Sequence, residues 1–446
     1  MDSSDPEWWG GNPSSSSSDI SSYVQAAIAA LGGNGGTLNF PQPSKYWFKN
    51  IVTGSKLTVN CAIGAELHPT TGYGINDFLF ANNIIGAETS TLNLGTGCLF
   101  VGDRASYSGG AGDGNNVALL LDGASNVEIH GAYEGWHTDA IYLGCQGGSS
   151  GSVPGDNILI GSDVKVTNSR RNNISIVCGT NVRLNGPYLA YAGSTVSGQL
   201  GTAPYASIDI EPDSATNVVE KITGSFTSLN PAGNHLDVVE QFISRPNIGV
   251  DLSCVSCTGA GGHGVIVTDF STGHVLGGVT ISGNFSNNGT SGAGHASVLF
   301  AGSVTNCTVS GIFNEANTGV MALMMYGTNN TIGDGYYEGQ AYDMLVDAGA
   351  TGNQISTGAV LKSGKFNPAG TGQLTPVVPG PMGLGDLVLR LAATGRISEG
   401  FGHVLAGESP GQTELRVVSG VGGFGAMARW LTAAARAQVR AVQGAS

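Results

Sequence analysis

A short strand pattern that recurs every 33 or 34 residues is the feature that most constrains this chain. Three copies align without gaps, as residues 139–144, 172–177 and 206–211. In each copy an aliphatic residue alternates with a smaller or more polar one, which places the aliphatics on one face of a strand. Repetition at this period, with a strand in every copy, is typical of a solenoid whose coils bury their apolar faces by stacking.

The same pattern continues toward the C-terminus with small changes in spacing. Further copies begin at His235, Gly264 and Ser297, and looser copies lie near Ala322 and Asp343. Between the copies lie second strand-like runs that are bounded by Gly, Asn and Ser turns. The pattern therefore predicts an all-β fold, a right-handed single-stranded parallel β-helix.

The alternation also predicts which side chains enter the core. We expect the aliphatic members to face inward, namely Ile141, Leu143, Ile174, Ile176, Ile208 and Ile210. We expect the alternate members to face outward, namely Tyr142, Ser175, Asp209 and Glu211.

The two ends of the chain differ from the repeats. Residues 1–18 are rich in Gly and Ser and are predicted to be a flexible lead. Residues 19–31 predict an N-terminal capping helix, because Asp19 or Ser18 can cap it and an apolar stripe follows at helical spacing. The β-helix domain is expected to span 19–373, followed by a linker and an Ala/Arg-rich extension over 374–446, with helical spacing at 427–442.

Three stretches carry a resemblance to a known group of proteins. They are the opening helix with the Gly-Gly-Asn-Gly-Gly-Thr-Leu-Asn-Phe-Pro run at 32–41, the phrase Arg-Asn-Asn-Ile-Ser-Ile-Val at 171–177, and Ala-Ser-Ile-Asp-Ile-Glu-Pro-Asp at 206–213. Over roughly residues 19–370 the chain resembles the pectin-lyase-like parallel β-helix superfamily, near its rhamnogalacturonase-like, epimerase-like, pectate-lyase-like and phage tailspike-like members. The resemblance implies that the partner is a polysaccharide. It also implies a possible homotrimer, because homotrimers are common among the members of this superfamily that the chain resembles.

Charge and composition narrow the partners further. The formal net charge of −14 argues against binding to nucleic acid or to an anionic membrane surface. No run of 18 apolar residues is present, which predicts no membrane span. The start of the chain shows no intact signal peptide, and the resemblance implies an extracellular or virion-associated protein.

The seven cysteines are scattered rather than spaced as a disulfide framework. Cys145 and Cys178 take the same position in successive coils and are expected to be neighbours, as small buried residues. Cys254 and Cys257 have C-x-x-C spacing, but no second pair accompanies them at the distance of a zinc site. We therefore expect buried thiols and no bound metal at these positions.

Three carboxylates are predicted to lie in one outward-facing patch. Asp209 and Glu211 are two residues apart on one strand, and Asp237 takes the position of Asp209 one coil later, about 4.8 Å away. Their mutual repulsion should raise at least one pKa, which gives a site both a protonated acid and an ionised carboxylate. We expect these three residues to be catalytic; the alternatives are a solvated polar face and a calcium site.

Neighbouring coils offer residues that suit substrate binding. Arg170 and Arg171 precede one strand and can bind a sugar carboxylate, although charge at a turn is often only solvated. Tyr142 can stack on a sugar ring, Ser175 shares its row, and Asp139 can line the rim of a groove.

These residues favour a polysaccharide-degrading enzyme, specifically a glycoside hydrolase with paired carboxylates and no required cofactor, calcium being the exception. The first alternative is a polysaccharide lyase or uronate epimerase in which Tyr142 or His137 acts as the base. The second is a non-catalytic adhesin or structural spike that binds glycan.

Overall fold

The computed structural model describes most of the chain up to residue 369. It describes residues 2–369 except 14–17, 55, 71–75, 83–90, 103, 105–115, 148–150, 196–200, 241–247, 270–275, 302–303, 348 and 364–365, and then 374–377, 404–405 and 416–417.

Two long parallel sheets run along the molecule, and each coil contributes strands to both. Sheet A has twenty strands: Ser3–Ser4, Gly36–Phe40, Lys45–Phe48, Lys56–Cys61, Glu66–Pro69, Thr91–Thr96, Leu99–Val101, Ser125–Ile129, Ala132–Glu134, Gly155–Ile160, Lys165–Thr167, Gly179–Ala190, Val219–Leu229, Val250–Thr258, Val279–Ser286, Thr308–Asn314, Thr331–Glu338, Asn353–Ser356, Ala359–Leu361 and Leu374–Val377.

Sheet B has twelve strands, and neighbouring strands come from successive coils. They are Ile51–Val52, Phe78–Ala81, Val117–Asp122, Ile141–Gly144, Ile174–Ile176, Ile208–Ile210, Leu236–Glu240, Val265–Asp269, Ala296–Phe300, Met321–Met325, Met344–Asp347 and Phe366–Ala369. Two small pairings complete the described strands, Leu276–Gly277 with Val304–Thr305 and Val404–Leu405 with Arg416–Val417. The predicted parallel β-helix is confirmed.

Aliphatic side chains stack between the coils because each strand of sheet B pairs in register with the next. Ile141 pairs with Ile174, and Ile174 pairs with Ile208. All six residues that were predicted to face inward are fully buried. Burial of one such side chain stabilises the fold by about 1.5–3 kcal/mol, so the repeat itself supplies the core.

Asparagines make the turns that the pattern predicted. Asn126, Asn157 and Asn181 all have positive φ, at 55°, 56° and 52°. Asparagine tolerates this left-handed conformation better than most residues, which explains its frequency at the corners of the coils.

An α-helix at Ser21–Leu31 covers the N-terminal end of the solenoid, as predicted. The Asp19 carboxylate accepts hydrogen bonds from the backbone N–H and the hydroxyl of Ser21, at 2.8 and 2.5 Å. Val24, Ala27 and Leu31 are buried against the first coil. Among the described residues no helix has the length and apolarity that a membrane crossing requires.

The N-terminal lead differs from the expectation of a flexible segment. Ser3–Ser4 pairs in parallel with the strand Gly36–Phe40, and Pro6–Trp9 forms a 3₁₀-helix. The Trp9 indole N–H donates to the Ser4 hydroxyl at 3.1 Å. The prediction was based on the high Ser content of the segment. It did not take into account Pro6, which begins the 3₁₀-helix, or Trp9, which anchors it.

At the other end, parallel pairing continues to Leu374–Val377, slightly past the predicted end of the β-helix at residue 373. The helix that was predicted over residues 427–442 lies outside the described residues.

The cysteines correct the sequence interpretation, because six of the seven form disulfides. Cys61 bonds Cys98, Cys145 bonds Cys178, and Cys254 bonds Cys257. Cys145 and Cys178 are neighbours, as expected, but they are covalently joined rather than free thiols. Cys307 is free and buried. Sequence position predicted the proximity of one pair, whereas oxidation state depends on the environment of the protein.

Candidate functional site

One outward-facing row of sheet B brings the predicted residues together. Tyr142 pairs with Ser175, Ser175 with Asp209, and Asp209 with Asp237, each from one coil to the next. Asp209 and Asp237 are therefore directly stacked neighbours, as the repeat predicted. Beyond Asp237 the row becomes apolar, beginning with Ile266.

The row is buried, which the alternation did not predict. Tyr142 and Asp209 are each 6% exposed, and Ser175 and Asp237 are each 2% exposed. Asn172 and Asn234, from the turns that precede the strands, donate hydrogen bonds to the Asp209 and Asp237 carboxylates and so help to shield them from solvent. Alternation fixes the face of a strand, but it does not show what covers that face.

Asp139 and Arg171 form a buried ion pair beside the row. The Arg171 Nε and Nη2 atoms donate to the two oxygens of Asp139 at 2.9 and 2.5 Å. The backbone N–H of Asn172 and the Ser175 hydroxyl also donate to Asp139, at 2.9 and 2.8 Å. Burial lowers the pKa of Arg171, but the Asp139 carboxylate outweighs it and leaves that pKa above its ordinary value.

These contacts correct the roles predicted for Asp139 and Ser175. Asp139 is fully buried and Ser175 nearly so, and both are engaged with their neighbours rather than facing a groove. Their position allows them to orient Arg171 and leaves no surface for a glycan.

Asp209 is one of the two buried carboxyls of the row. Asn172 Nδ2 donates to its Oδ2 atom at 2.8 Å. Its Oδ1 atom is buried and has no hydrogen-bond partner among the described residues. Burial raises the pKa of Asp209 well above its ordinary value, and the charges of Asp237 and Glu211 raise it further. The neutral carboxyl is favoured here, because burial disfavours the charged form.

Asp237 lies one coil further along under similar conditions. Burial raises its pKa to about 7, an effect that the hydrogen bond from Asn234 opposes and the charge of Glu211 adds to. Asn234 Nδ2 donates to Asp237 Oδ1 at 2.6 Å. Burial is therefore the main cause that raises the pKa of Asp209 and Asp237, and the repulsion between like charges that the sequence predicted adds to it.

Glu211 and Asp213 are the carboxyls of this region that reach solvent. Glu211 is half-buried and Asp213 is exposed. Burial raises the pKa of Glu211, and the charge of Asp213 raises it further. Burial also raises the pKa of Asp213, whose Oδ2 accepts a hydrogen bond from the Tyr142 hydroxyl at 3.1 Å.

We call Asp139, Asp209, Glu211, Asp213 and Asp237 the carboxyl cluster. Sequence reasoning missed Asp213, because it follows Pro212 beyond the end of the strand and lies outside the alternation. Its two-residue spacing from Glu211 was the available signal.

Sequence reasoning also missed Asp122, which adjoins the carboxyl cluster. It pairs with Gly144, and a Cβ atom at that glycine would collide with the Asp122 carboxyl. Asp122 Oδ1 is buried without a hydrogen-bond partner in the described part of the chain, and burial raises the pKa of this residue to about 6.

The Tyr142 ring packs against apolar side chains and is not presented to solvent. Val117 and Val177 are its buried apolar neighbours. Burial raises the pKa of its hydroxyl, and the charge of Asp213 adds to that effect. A ring that is 6% exposed offers almost no face for stacking on a sugar, so this predicted role is corrected.

Arg170 lies apart from the ion pair of Arg171. Its charge acts on the buried guanidinium of Arg104, whose pKa is lowered to about 10 by burial and then by Arg170. Arg104 donates to the carbonyl oxygens of Asn168, Ser169 and Ser194. The two arginines that were predicted to act together therefore have different neighbours.

Across the described ranges, no group of three or more His, Cys, Asp or Glu side chains is arranged to hold a metal ion. Calcium stays a prediction.

No protein-family model matches the sequence, and no curated protein matches it significantly. Solved structures match it in fold. The A-module of mannuronan C-5 epimerase AlgE6 from Azotobacter vinelandii aligns over 85% of this chain and 100% of its own, with a TM-score of 0.50 and 14% identity.

Two further structures align to a similar extent. The Agl-KA catalytic domain covers 84% of this chain and 69% of its own, with a TM-score of 0.52 and 12% identity. A mutant tailspike protein of E. coli bacteriophage HK620 covers 85% and 76%, with a TM-score of 0.50 and 12% identity. These similarities confirm the resemblance to right-handed parallel β-helix proteins at the level of fold.

Proposed function

We propose that this protein acts on a polysaccharide and that it is a glycoside hydrolase whose reaction takes place at the carboxyl cluster. The observation that carries the proposal is the grouping of four carboxyls, those of Asp139, Asp209, Glu211 and Asp213, around Arg171, with Asp237 paired to Asp209 in the next coil. A polysaccharide as substrate is also in keeping with the fold, since one structure of similar fold is named a mannuronan epimerase. An extracellular or virion-associated location is proposed because another structure of similar fold is a bacteriophage tailspike protein.

Glu211 is assigned as the general acid. It is half-buried, so its proton can reach a substrate oxygen while the environment still favours the protonated form. A carboxyl with a raised pKa beside an ionisable partner is the arrangement by which glycosidases separate acid from base or nucleophile.

Asp213 is assigned as that partner. It is exposed, and the hydrogen bond from Tyr142 favours its ionised form. Its negative charge in turn favours the proton on Glu211. Burial raises the pKa of both carboxyls, and we assign the proton to Glu211 because Asp213 is the one that accepts a hydrogen bond from Tyr142.

Asp209 and Asp237 are assigned as positioning residues beside Glu211. Their burial keeps them from direct contact with substrate, which changes the role expected from the sequence. When Asp209 or Asp237 is protonated, it carries no negative charge near Glu211, and its side chain still packs against its neighbours in the row.

The lyase and epimerase alternative finds less support. Arg171, which would neutralise a uronate carboxylate, is already engaged by both oxygens of Asp139. The two candidate bases are unfavourably placed, because His137 is 3% exposed and the pKa of Tyr142 is raised.

A screen of polysaccharides tests the proposal, with new reducing ends and the ultraviolet absorbance of unsaturated products read together, with and without a chelator. Reducing ends without absorbance are expected. Absorbance that rises with the reducing ends would assign the protein to the lyases, and no product from any glycan would refute the hydrolase proposal.

Variants test the assignment of residues. Glu211→Gln is expected to lose turnover by about 10²–10⁴-fold, as for removal of a general acid. Asp209→Asn is expected to keep most of its activity, because an amide resembles a carboxyl that already carries its proton. Loss of activity in Asp209→Asn with retention in Glu211→Gln would reverse the two roles.

A further inference from the structure

The turn at residues 212–218 carries the exposed carboxyl of the cluster. It connects the strand Ile208–Ile210 of sheet B to the strand Val219–Leu229 of sheet A. Asp213 lies near its start and is exposed to solvent. The Tyr142 hydroxyl holds the Asp213 side chain through a hydrogen bond at 3.1 Å. The position of the Asp213 backbone depends on the contacts that hold the rest of the turn.

Asn217 organises this turn from within. Its Oδ1 atom accepts a hydrogen bond from the backbone N–H of Ser214 at 2.9 Å, and its own backbone N–H donates to the Ser214 carbonyl oxygen at 3.1 Å. Ser214 directly follows Asp213, so both bonds act one residue away from the carboxyl. Asn217 is 3% exposed, and water therefore cannot replace these hydrogen bonds when they are lost.

The amide nitrogen of Asn217 anchors the turn to other coils. Asn217 Nδ2 donates to the carbonyl oxygen of Gly151 at 2.9 Å and to the Sγ atom of Cys145 at 3.3 Å. The next residue makes a similar contact, because the backbone N–H of Val218 donates to the Sγ atom of Cys178 at 3.5 Å. The end of the turn therefore rests on both sulfurs of one disulfide.

The Cys145–Cys178 disulfide gives the turn a fixed base. Both cysteines are fully buried. Cys145 directly follows the strand Ile141–Gly144, which carries Tyr142, and Cys178 lies two residues beyond the end of the neighbouring strand Ile174–Ile176. The covalent link therefore holds the strand that supplies the donor of the Tyr142–Asp213 hydrogen bond, and it also anchors the turn that supplies the acceptor.

We propose, on the basis of the hydrolase function proposed above, that Asn217 is a positioning residue that holds Asp213 beside Glu211. It acts through the turn, with the Cys145–Cys178 disulfide as the anchor. When the turn is released, the Asp213 carboxylate moves away from the general acid and no longer favours its proton.

The pKa of Glu211 separates positioning from mere stability. Burial raises this pKa, the charge of Asp213 raises it further, and the charge of Arg171 lowers it. Asp209 and Asp237 are the other carboxyls of the cluster whose pKa responds to the charge of Glu211, and both belong to strands of sheet B rather than to the turn. Displacement of Asp213 therefore lowers the pKa of Glu211, and the alkaline limb of kcat/KM moves to lower pH.

Asn217→Ala tests the proposal, with Asn353→Ala as the matched control. Asn353 is also buried, its Oδ1 atom accepts from the backbone N–H of Asn330 at 2.8 Å, and its Nδ2 atom donates to the Gly327 carbonyl oxygen at 2.9 Å. The two variants lose the same types of hydrogen bond, but Asn353 belongs to a late coil of sheet A. NMR titration of protein labelled at the carboxyl carbons of glutamate measures the pKa of Glu211, whose signal is the one missing from Glu211→Gln.

Asn217→Ala is expected to lower the pKa of Glu211, to move the alkaline limb of kcat/KM in the same direction, and to reduce kcat by up to about 10²-fold, the effect of a small misplacement of a catalytic group. Asn353→Ala is expected to leave the pKa and the limb where they are in the wild type. Replacement of both Cys145 and Cys178 by alanine should lower the pKa of Glu211 as well. Removal of the disulfide between Cys61 and Cys98, which also joins neighbouring coils, should not.

An unchanged pKa of Glu211 in Asn217→Ala, or an equal fall in Asn353→Ala, would overturn the inference and leave the hydrolase proposal intact. A pKa that falls in Asn217→Ala alone, in a protein whose wild type cleaves no glycan, would refute the hydrolase proposal but support the positioning of Asp213. If Asn217→Ala does not fold, Asn217→Ser gives the same comparison, because it keeps an uncharged hydrogen-bonding group at this buried position.

Discussion

Replacement of Asp237 by asparagine should make the protein more stable at alkaline pH, although it removes a residue of the site. Burial raises the folded-state pKa of Asp237 from 3.8 to about 7. Between these two values the folded state binds more protons than the unfolded state, so stability falls as the pH rises. At 1.36 kcal/mol per unit, the shift of about 3 units corresponds to a loss of about 4 kcal/mol once the pH exceeds 7.

Asparagine at this position avoids that loss because it does not ionise. Its side-chain oxygen can still accept the hydrogen bond that Asn234 donates to Asp237 Oδ1. About half of this loss develops below pH 5.5, and most of the rest develops between pH 5.5 and 7. The stability advantage of Asp237→Asn over wild type should therefore grow by about 2 kcal/mol from pH 5.5 to pH 8.5. Any pH-independent cost of the amide cancels in this comparison.

Urea unfolding at the two pH values measures the effect. Asp251→Asn is the matched control, since Asp251 is an exposed aspartate on a strand of sheet A. The control should show no comparable growth of stability with pH. An equal response in the two variants would refute the argument that burial raises the pKa of Asp237.

Three further predictions concern the site, the core and the disulfides. Activity of the wild-type enzyme should fall on the alkaline side as Glu211 loses its proton, and a pH profile of kcat/KM that stays level through its raised pKa would contradict its role as the acid. Ile208→Asp should prevent folding, because Ile208 is fully buried and the change places an unpaired charge in the core; a soluble variant with native circular dichroism would contradict this. Cys145→Ser should destabilise the protein by about 3–4 kcal/mol, the chain-entropy effect of opening a loop of this length, and an unchanged urea midpoint would contradict it.

The sequence predicted the coils well because the repeat itself encodes them. Ile141, Ile174 and Ile208 recur at nearly constant spacing and stack in register, as expected. The neighbouring relation of Asp209 and Asp237 followed from the same register. Each of these results depends on distances along a strand or between coils, which backbone hydrogen bonding fixes.

The environment of the site was harder to predict because it depends on turns and on chain beyond the strands. Nothing in the alternation showed that Asn172 would bond Asp209, or that Asp139 would take both donors of Arg171. Asp213 follows Pro212, beyond the last residue of the repeat copy at 206–211. These contacts determine which carboxyls are exposed. They change the roles assigned to the residues, whereas the fold is as predicted.

Hydrolysis in heavy-oxygen water tests the central claim most directly, with the glycan that the screen identifies as the substrate. A hydrolase places one oxygen from water on the new reducing end, so mass spectrometry should find the heavy isotope in the products of the wild-type protein and at least about a hundredfold less product from Glu211→Gln. Products without the isotope would contradict hydrolysis, and full incorporation by Glu211→Gln would contradict the assignment of the carboxyl cluster as the site.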